Sequence, residues 1–217
     1  GVWKGWPLRG ALPSETVREI CSRVAAVRDA VGGQMQIILE NHCLTDAQSA
    51  VTLIRALEGY HIDYYEEVCT PINHAVWADV RKHTDAGLCT GEKLVTQSGF
   101  LPYIVGRTVD MLQPDLGICG GVSEIMPICA MAELYDIGVS LHTCHSPISI
   151  AASLQVEAVL PNFCVHEVHK SALLEENIAL GSEPLCVKNG KYTLPEGNGI
   201  GVELSDWALR NCERLVF

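Results

Sequence analysis

Val17, Ile20, Val24, Val27 and Val31 lie three or four residues apart, which puts them on one face of a helix. Ser14 is expected to cap that helix, with Glu15 in its first turn and Gly32-Gly33 ending it. The apolar run Met35-Gln36-Ile37-Ile38-Leu39 then reads as a strand leading to Glu40. The same alternation repeats along the chain. Thr45-Asp46 opens a helix with Ala50, Leu53, Ile54 and Leu57 on one face, and residues 62–65 form a strand leading to Glu66. Pro71-Ile72-Asn73 opens a third helix through Val76, Val80 and Arg81, and residues 86–89 form the strand before Glu92.

Residues 98–105 read as a short helix, 109–115 as a strand with a polar end, and Gly120-Gly121 as a tight turn. Ser123 is expected to cap a helix over 124–135. A strand over 139–142, a helix over 147–159 and a strand over 163–165 before Glu167 follow. Residues 1–5 read as the end of a strand carrying Lys4. Strands alternating with helices across short loops imply a parallel sheet with crossover helices. The number of repeats favours a (β/α)8-type, TIM-like barrel over an open doubly wound sheet, and no G-x-G-x-x-G follows the first strand.

The pattern changes at Ser182. Lys188-Asn189-Gly190-Lys191 is a hairpin signal, residues 195–201 are glycine-rich, and 205–212 predict a last short helix. The expected division is an incomplete barrel over 1–181 and a segment over 182–217 packing across it. The strand ends are Lys4, Glu40, Glu66, Glu92, Asp115, His142 and Glu167, seven positions where a closed barrel has eight. The expectation is therefore a fragment, a barrel lacking its first strand.

All seven strand-end residues are ionisable, and catalytic groups of barrel enzymes sit at those ends. Glu40, Glu66 and Glu92 lie 26 residues apart (40 to 66, 66 to 92), about one strand, one helix and two loops. Three carboxylates there suit a hard cation such as Mg²⁺, with waters or substrate completing the octahedron. Asp115 and His142 end neighbouring strands. A carboxylate on one imidazole nitrogen fixes the tautomer and makes the other a general base. His145 is a rival to His142, which is preferred as strand-terminal. His42 falls two residues past Glu40, on the same face if the segment is extended, and is a second proton-transfer candidate. Glu167, if protonated, offers a hydrogen bond to a substrate carboxylate, while His166 should point away from it. The plainer readings are strand-capping carboxylates and a core histidine.

The bulk numbers bound the partners. With 217 residues, 48% of them hydrophobic, the chain can bury one sizeable core. A net charge of −11 and a pI near 5.1 argue against nucleic acid, and no apolar run of roughly 18 residues marks a membrane span. The ten cysteines are scattered without a C-x-x-C pair. Free thiols in a reducing, cytoplasmic setting are the expectation, with zinc or disulfides the lesser alternative.

Glu66-Glu67, Gly91-Glu92, Gln113-Pro114-Asp115, Gly120-Gly121-Val122-Ser123-Glu124, and His142 ahead of Pro147-Ile148-Ser149-Ile150-Ala151-Ala152-Ser153 resemble the barrel domain of the enolase superfamily. Within it they are most similar to the mandelate racemase group, and Gly197-Asn198-Gly199-Ile200-Gly201 resembles its closing stretch. The resemblance implies that Glu40, Glu66 and Glu92 bind Mg²⁺, that Asp115 and His142 are the dyad base, and that Glu167 lies beside the substrate carboxylate. His42 makes the chain similar to galactonate-type acid-sugar dehydratases, where such a histidine protonates the departing 3-hydroxyl. The racemases' Lys-x-Lys pair is not present around Lys4.

The implied partner is a small sugar acid, the implied product a 2-keto-3-deoxy acid, and the full-length family implies a homo-oligomer. Two departures stand out: the first ligand is usually Asp where this chain has Glu40, and the usual Pro after the glutamate pair is Val68. The N-terminal capping domain is also expected to be missing. The alternatives are a catalytically impaired homologue or truncated fragment, a phosphate-binding barrel aldolase or isomerase, and a pure binding module.

Overall fold

The structure is a computed structural model that describes residues 7–215. The expected strand end at Lys4 lies outside the described residues. Helix α1 (Ser14–Val31) leads to strand β1 (Ile38–Glu40), followed by α2 (Ala47–Leu57), β2 (Tyr64–Glu66), α3 (His74–Arg81), β3 (Leu88–Thr90), α4 (Thr96–Gly106), β4 (Met111–Leu112), α5 (Val122–Leu134), β5 (Gly138–Val139) and α6 (Pro147–Glu157). The five strands form one sheet in sequence order, and every pairing is parallel. Each strand is thus joined to its neighbour by a crossover helix, the barrel pattern.

Local chemistry sets the helix starts. Asp46 caps α2 in a reciprocal box with Ser49, each side chain accepting from the other's backbone N–H. Asn73 caps α3 by accepting from the Ala75 amide. The Glu124 carboxylate accepts from the Gln97 amide at 2.7 Å and so covers the start of α4 from the next helix. Two expected caps are corrected. Ser14 is the first residue of α1, and Pro13, with its ring-set φ of −58°, takes the capping position. Ser123 lies inside α5, because Gly121, at φ 77°, makes the turn into the helix one step earlier.

The apolar stripe of α1 is only partly used. Val24 is buried, whereas Val27 is 50% exposed. Polar fastening replaces packing there: the Arg28 guanidinium donates to the carbonyls of Tyr60, His61, Met35 and Gly32. The core proper lies between the sheet and helices α2 to α5, where Ile54, Leu57, Trp77, Leu88, Phe100, Tyr103, Leu112, Ile125 and Ile128 are fully buried.

The late strands are shorter than expected. Residues 109–115 and 139–142 reduce to two-residue strands, and the ladder resumes at a single parallel bridge between Asp115 and His142. Pro114 interrupts it because proline has no N–H to donate, although its carbonyl still accepts from the His142 amide at 3.2 Å. The strand expected over 163–165 is one bridge, Phe163 to Val139. Beyond it, the Ser140 hydroxyl rather than a main-chain amide takes the Val165 carbonyl.

Past Leu160 the described residues make a 3-10 turn (Lys170–Leu173) and two short α-helices, α7 (Glu175–Ile178) and α8 (Asp206–Asn211). Between them Lys188 and Lys191 pair across a turn whose central residues, Asn189 and Gly190, both have positive φ, as a two-residue hairpin requires. Gln155 of α6 donates to the carbonyls of Pro195 and Ile200. Among the described residues, no helix is long and apolar enough to cross a membrane.

Candidate active site

The C-terminal ends of the strands gather the titratable residues. Glu40 and Glu66 are the last residues of β1 and β2 and are paired in register. Glu92 is placed differently. Glu66 pairs with Cys89, and β3 ends at Thr90, so Glu92 stands in the loop beyond. Equal spacing in sequence therefore does not mean equal depth in the sheet. Gly91 delivers Glu92 to the group: its backbone passes so close to Gln113 that a Cβ would sit 2.5 Å from the Gln113 carbonyl carbon. Only glycine fits there.

One carboxylate oxygen from each of Glu40, Glu66 and Glu92 falls within a cluster no wider than 4.8 Å. Desolvation, the hydrogen bond and charge of Glu66 and the charge of Glu92 push the Glu40 carboxyl up to about 9. Residue 40 as a whole is exposed at the rim, so the neighbouring carboxylates are the cause that survives contact with water. Three crowded carboxylates that cannot all ionise, offering oxygen alone, fit a hard divalent cation.

A buried carboxylate supports this trio from below. Glu67 is fully buried. Its Oε1 accepts from the Thr90 hydroxyl and from the Gly91 amide, and its Oε2 from the Cys43 thiol at 2.7 Å and the Lys93 ammonium at 3.3 Å. It ties the loops after β1, β2 and β3 together. Lys93 also donates to Glu92 Oε1. Burial opposes its charge, but the Glu92 hydrogen bond and the charge of Glu67 hold the ammonium above its usual range. Neither Glu67 nor Lys93 stood out in the sequence, since each merely follows a strand-end glutamate. The signal was the doubled acid at 66–67, where one carboxylate can point outward and the other must find donors inside.

Asp115 and His142 meet as expected. The Asp115 side chain is fully buried; its Oδ2 lies 2.6 Å from His142 Nδ1, and its Oδ1 accepts from the Gly117 amide at 2.7 Å. Against its burial, the hydrogen bond from His142 and the charge of His145 hold the Asp115 carboxyl below its ordinary value. Burial likewise opposes protonation of His142, but the Asp115 hydrogen bond and the charges of Glu167 and Glu92 outweigh it and raise the imidazole. The other ring nitrogen, Nε2, faces the trio, 3.3 Å from Glu92 Oε2. His145 reaches the same Asp115 oxygen, Nε2 to Oδ2 at 2.8 Å, but its side chain is 41% exposed.

His42 arrives by a different route from the expected one. The segment is not extended: His42 and Cys43 have φ of 48° and 58°, and the Leu44 amide closes a turn onto the Asn41 carbonyl. That turn still swings the ring over the trio, with Nε2 3.4 Å from Glu92 Oε1. Glu167 lies next to the dyad loop, where its Oε2 accepts from the Thr143 amide at 2.8 Å. His166 points away, to Glu157 Oε2 at 2.6 Å. Glu40, Glu66, Glu92, His42, Asp115 and His142 thus form one continuous polar cluster, with Glu167 joined to it through Thr143.

Residues 3–208 match the family model described as enolase C-terminal domain-like. The chain is 32% identical over 206 residues to D-gluconate dehydratase of Thermoproteus tenax, covering 94% of this chain and 41% of that protein. It is 32% identical over 208 residues to D-galactarolactone cycloisomerase of Agrobacterium fabrum, covering 89% and 53%. A crystal structure of an enolase superfamily member from Salmonella Typhimurium superposes with a TM-score of 0.94 at 39% identity, covering 97% of this chain and 54% of that one. The chain therefore spans about half the length of the relatives it matches. With nearly all of its residues inside the family model and its barrel pattern shared at 39% identity, the chain belongs to the enolase C-terminal domain-like family of the mandelate racemase and enolase superfamily.

Proposed function

We propose that this chain is the catalytic barrel of an acid-sugar dehydratase, a hydro-lyase that converts a sugar acid to its 2-keto-3-deoxy acid. The observation that carries the reading is the double contact of His142: Nδ1 on Asp115 and Nε2 towards Glu92. Glu40, Glu66 and Glu92 are the residues that would hold Mg²⁺. When bound, the ion supplies positive charge that stabilises an enediolate next to the substrate carboxylate. Asp115 keeps the His142 Nδ1 proton in place, so Nε2 is the lone pair that removes the proton α to that carboxylate. His42, across the trio, delivers a proton from its ring to the departing 3-hydroxyl. Glu167 uses Oε2 as an acceptor for Thr143, so a proton it offers to the substrate carboxylate sits on Oε1. The dehydratase names of relatives such as D-galactonate dehydratase of Ralstonia pickettii support this assignment.

A second reading is cycloisomerisation of a sugar-acid lactone, favoured by the equally similar D-galactarolactone cycloisomerase. Both readings start by removing an α-proton: in the dehydration a hydroxyl leaves as water, whereas in the lactone the ring oxygen leaves its carbon but stays in the molecule, so the product is a ring-opened isomer. The test is a panel of open-chain sugar acids and lactones with Mg²⁺, assayed by NMR and mass for 2-keto-3-deoxy acids formed with loss of water and for ring-opened isomers of unchanged mass. The expected result is keto acid formed by the native chain and abolished in His142→Asn. A ring-opened isomer from a lactone, with no turnover of the open-chain acids, selects the second reading. No turnover by a folded chain that also fails to bind Mg²⁺ overturns both.

A further inference from the structure

Cys144 and His145 have no part in the reaction above, yet they stand against its dyad. Asp115, His142, Cys144 and His145 each bring one ligand atom into a group no wider than 4.8 Å. Three of the four come from a single tetrapeptide, residues 142–145, and the fourth from the adjoining strand end. We propose that these four residues form a second, softer metal site that takes Zn²⁺ and is separate from the glutamate trio.

The donor set is one carboxylate, two imidazoles and one thiol. Zn²⁺ favours such a nitrogen and sulfur set in tetrahedral geometry, whereas Mg²⁺ demands oxygen. The distances are close to what Zn²⁺ needs. Tetrahedral bonds of about 2.0–2.3 Å separate ligand atoms by roughly 3.3–3.6 Å. Asp115 Oδ2 is 2.6 Å from His142 Nδ1 and 2.8 Å from His145 Nε2, and Cys144 Sγ is 4.0 Å from His145 Nε2. The two Asp115 contacts open and the sulfur contact closes, each by less than about 1 Å, and the remaining pairs lie within 4.8 Å.

The supporting contacts are those of a zinc centre. A ligating histidine commonly directs its other nitrogen at a carboxylate, and His142 Nε2 faces Glu92 Oε2 at 3.3 Å. Asp115 Oδ1 is held by the Gly117 amide, and Asn177 and Ser171 anchor the loop through the carbonyls of His145 and Cys144. The exposed side of His145 is the way in. Binding releases the thiol proton of Cys144 and moves the His142 proton from Nδ1 to Nε2, so the thiol release makes affinity rise with pH. Zn²⁺ on Nδ1 leaves the His142 proton on Nε2, the nitrogen that faces Glu92. A chain acting through that nitrogen as a base is therefore switched off by zinc. The site itself does not depend on the dehydratase reading.

Co²⁺ is the probe, because it replaces Zn²⁺ and a cobalt–thiolate bond adds a near-ultraviolet charge-transfer band. The 217-residue chain, held in millimolar Mg²⁺, is titrated with Co²⁺ and then with Zn²⁺ against a chromophoric chelator. The expected result is one ion per chain with the thiolate band, displaced by Zn²⁺ and not by Mg²⁺. Cys144→Ser removes the band and weakens Zn²⁺ by roughly tenfold or more, and His145→Gln weakens it similarly. Cys164→Ser, an exposed cysteine outside the group, leaves both unchanged. A folded chain without the band, a band that survives Cys144→Ser, or an ion displaced by Mg²⁺ overturns the proposal.

Discussion

Asp115 and His142 face each other across a single parallel bridge, with Asp115 Oδ2 2.6 Å from His142 Nδ1. The bridge stands alone because Pro114 breaks the ladder beneath it. The pair is thus aligned by backbone pairing as well as by its own hydrogen bond. Asp115→Asn keeps the shape but can favour the tautomer that places the proton on Nε2. The expected outcome is a kcat lowered by roughly 10²–10⁴-fold with KM little moved, measured on whichever sugar acid the panel identifies. A rise of that size in KM alone, with kcat unchanged, would make Asp115 a contributor to substrate binding instead.

Crowding of Glu40, Glu66 and Glu92 disfavours the metal-free chain. At neutral pH the native chain must keep Glu40 protonated, with its carboxyl pushed up to about 9, while the unfolded chain ionises it; Glu40→Gln removes that cost, so the variant should unfold at higher temperature than the native chain without added metal. Mg²⁺ should raise the native melting temperature, by about 2.7 kcal/mol of stability at a hundred times its Kd, and should leave Glu92→Gln unmoved. Calorimetric titration and thermal scans with and without Mg²⁺ test both halves. Replacing Glu40 by Asp withdraws the carboxylate by roughly 1.5 Å, and the change in Mg²⁺ affinity reports which length suits this backbone.

Glu67 is a structural centre as well as a neighbour of the trio. Glu67→Ala leaves the buried donors at Thr90 and Gly91 without this acceptor, while the Cys43 thiol keeps only the Cys69 carbonyl. The expected cost is about 3 kcal/mol or more, read from urea denaturation. Glu67→Gln retains one acceptor and should cost clearly less.

Gly91→Ala is expected to destabilise the fold by about 2 kcal/mol through overpacking against Gln113. It should also weaken Mg²⁺ binding, since Glu92 is the next residue. A variant of native stability and native Mg²⁺ affinity would show that the β3 loop relaxes more easily than its packing implies.

Glu157, buried in α6, accepts from His166 across 2.6 Å. Burial raises its carboxyl above the ordinary range, and the His166 hydrogen bond offsets only part of that. A raised folded value means the native state holds this proton more tightly than the unfolded chain. The stabilisation is complete below about pH 4.3 and is lost as pH rises through the folded value. The native chain should therefore lose stability relative to Glu157→Gln as pH rises from 4 towards neutrality, in denaturation curves at several pH values. The opposite slope would make Glu157 and His166 an ion pair that strengthens with ionisation.

The alternation of apolar runs and capped helices was enough to specify the parallel β/α order, because periodicity and cap chemistry are local properties of the chain. The recurring strand-end acids pointed at Glu40, Glu66, Glu92 and the Asp115–His142 pair for the same reason: one β/α unit has a nearly constant length. What sequence could not decide is anything set by through-space distance. Equal spacing did not predict that Glu92 stands beyond its strand on a glycine pressed against Gln113. Alternation did not predict that His42 reaches the trio through a left-handed turn instead of an extended segment. Glu67 and Lys93 emerged only once three loops were brought together, and so did the meeting of Cys144 and His145 with Asp115. Desolvation and charge crowding depend on neighbours from other strands, and those neighbours exist only after the sheet has formed.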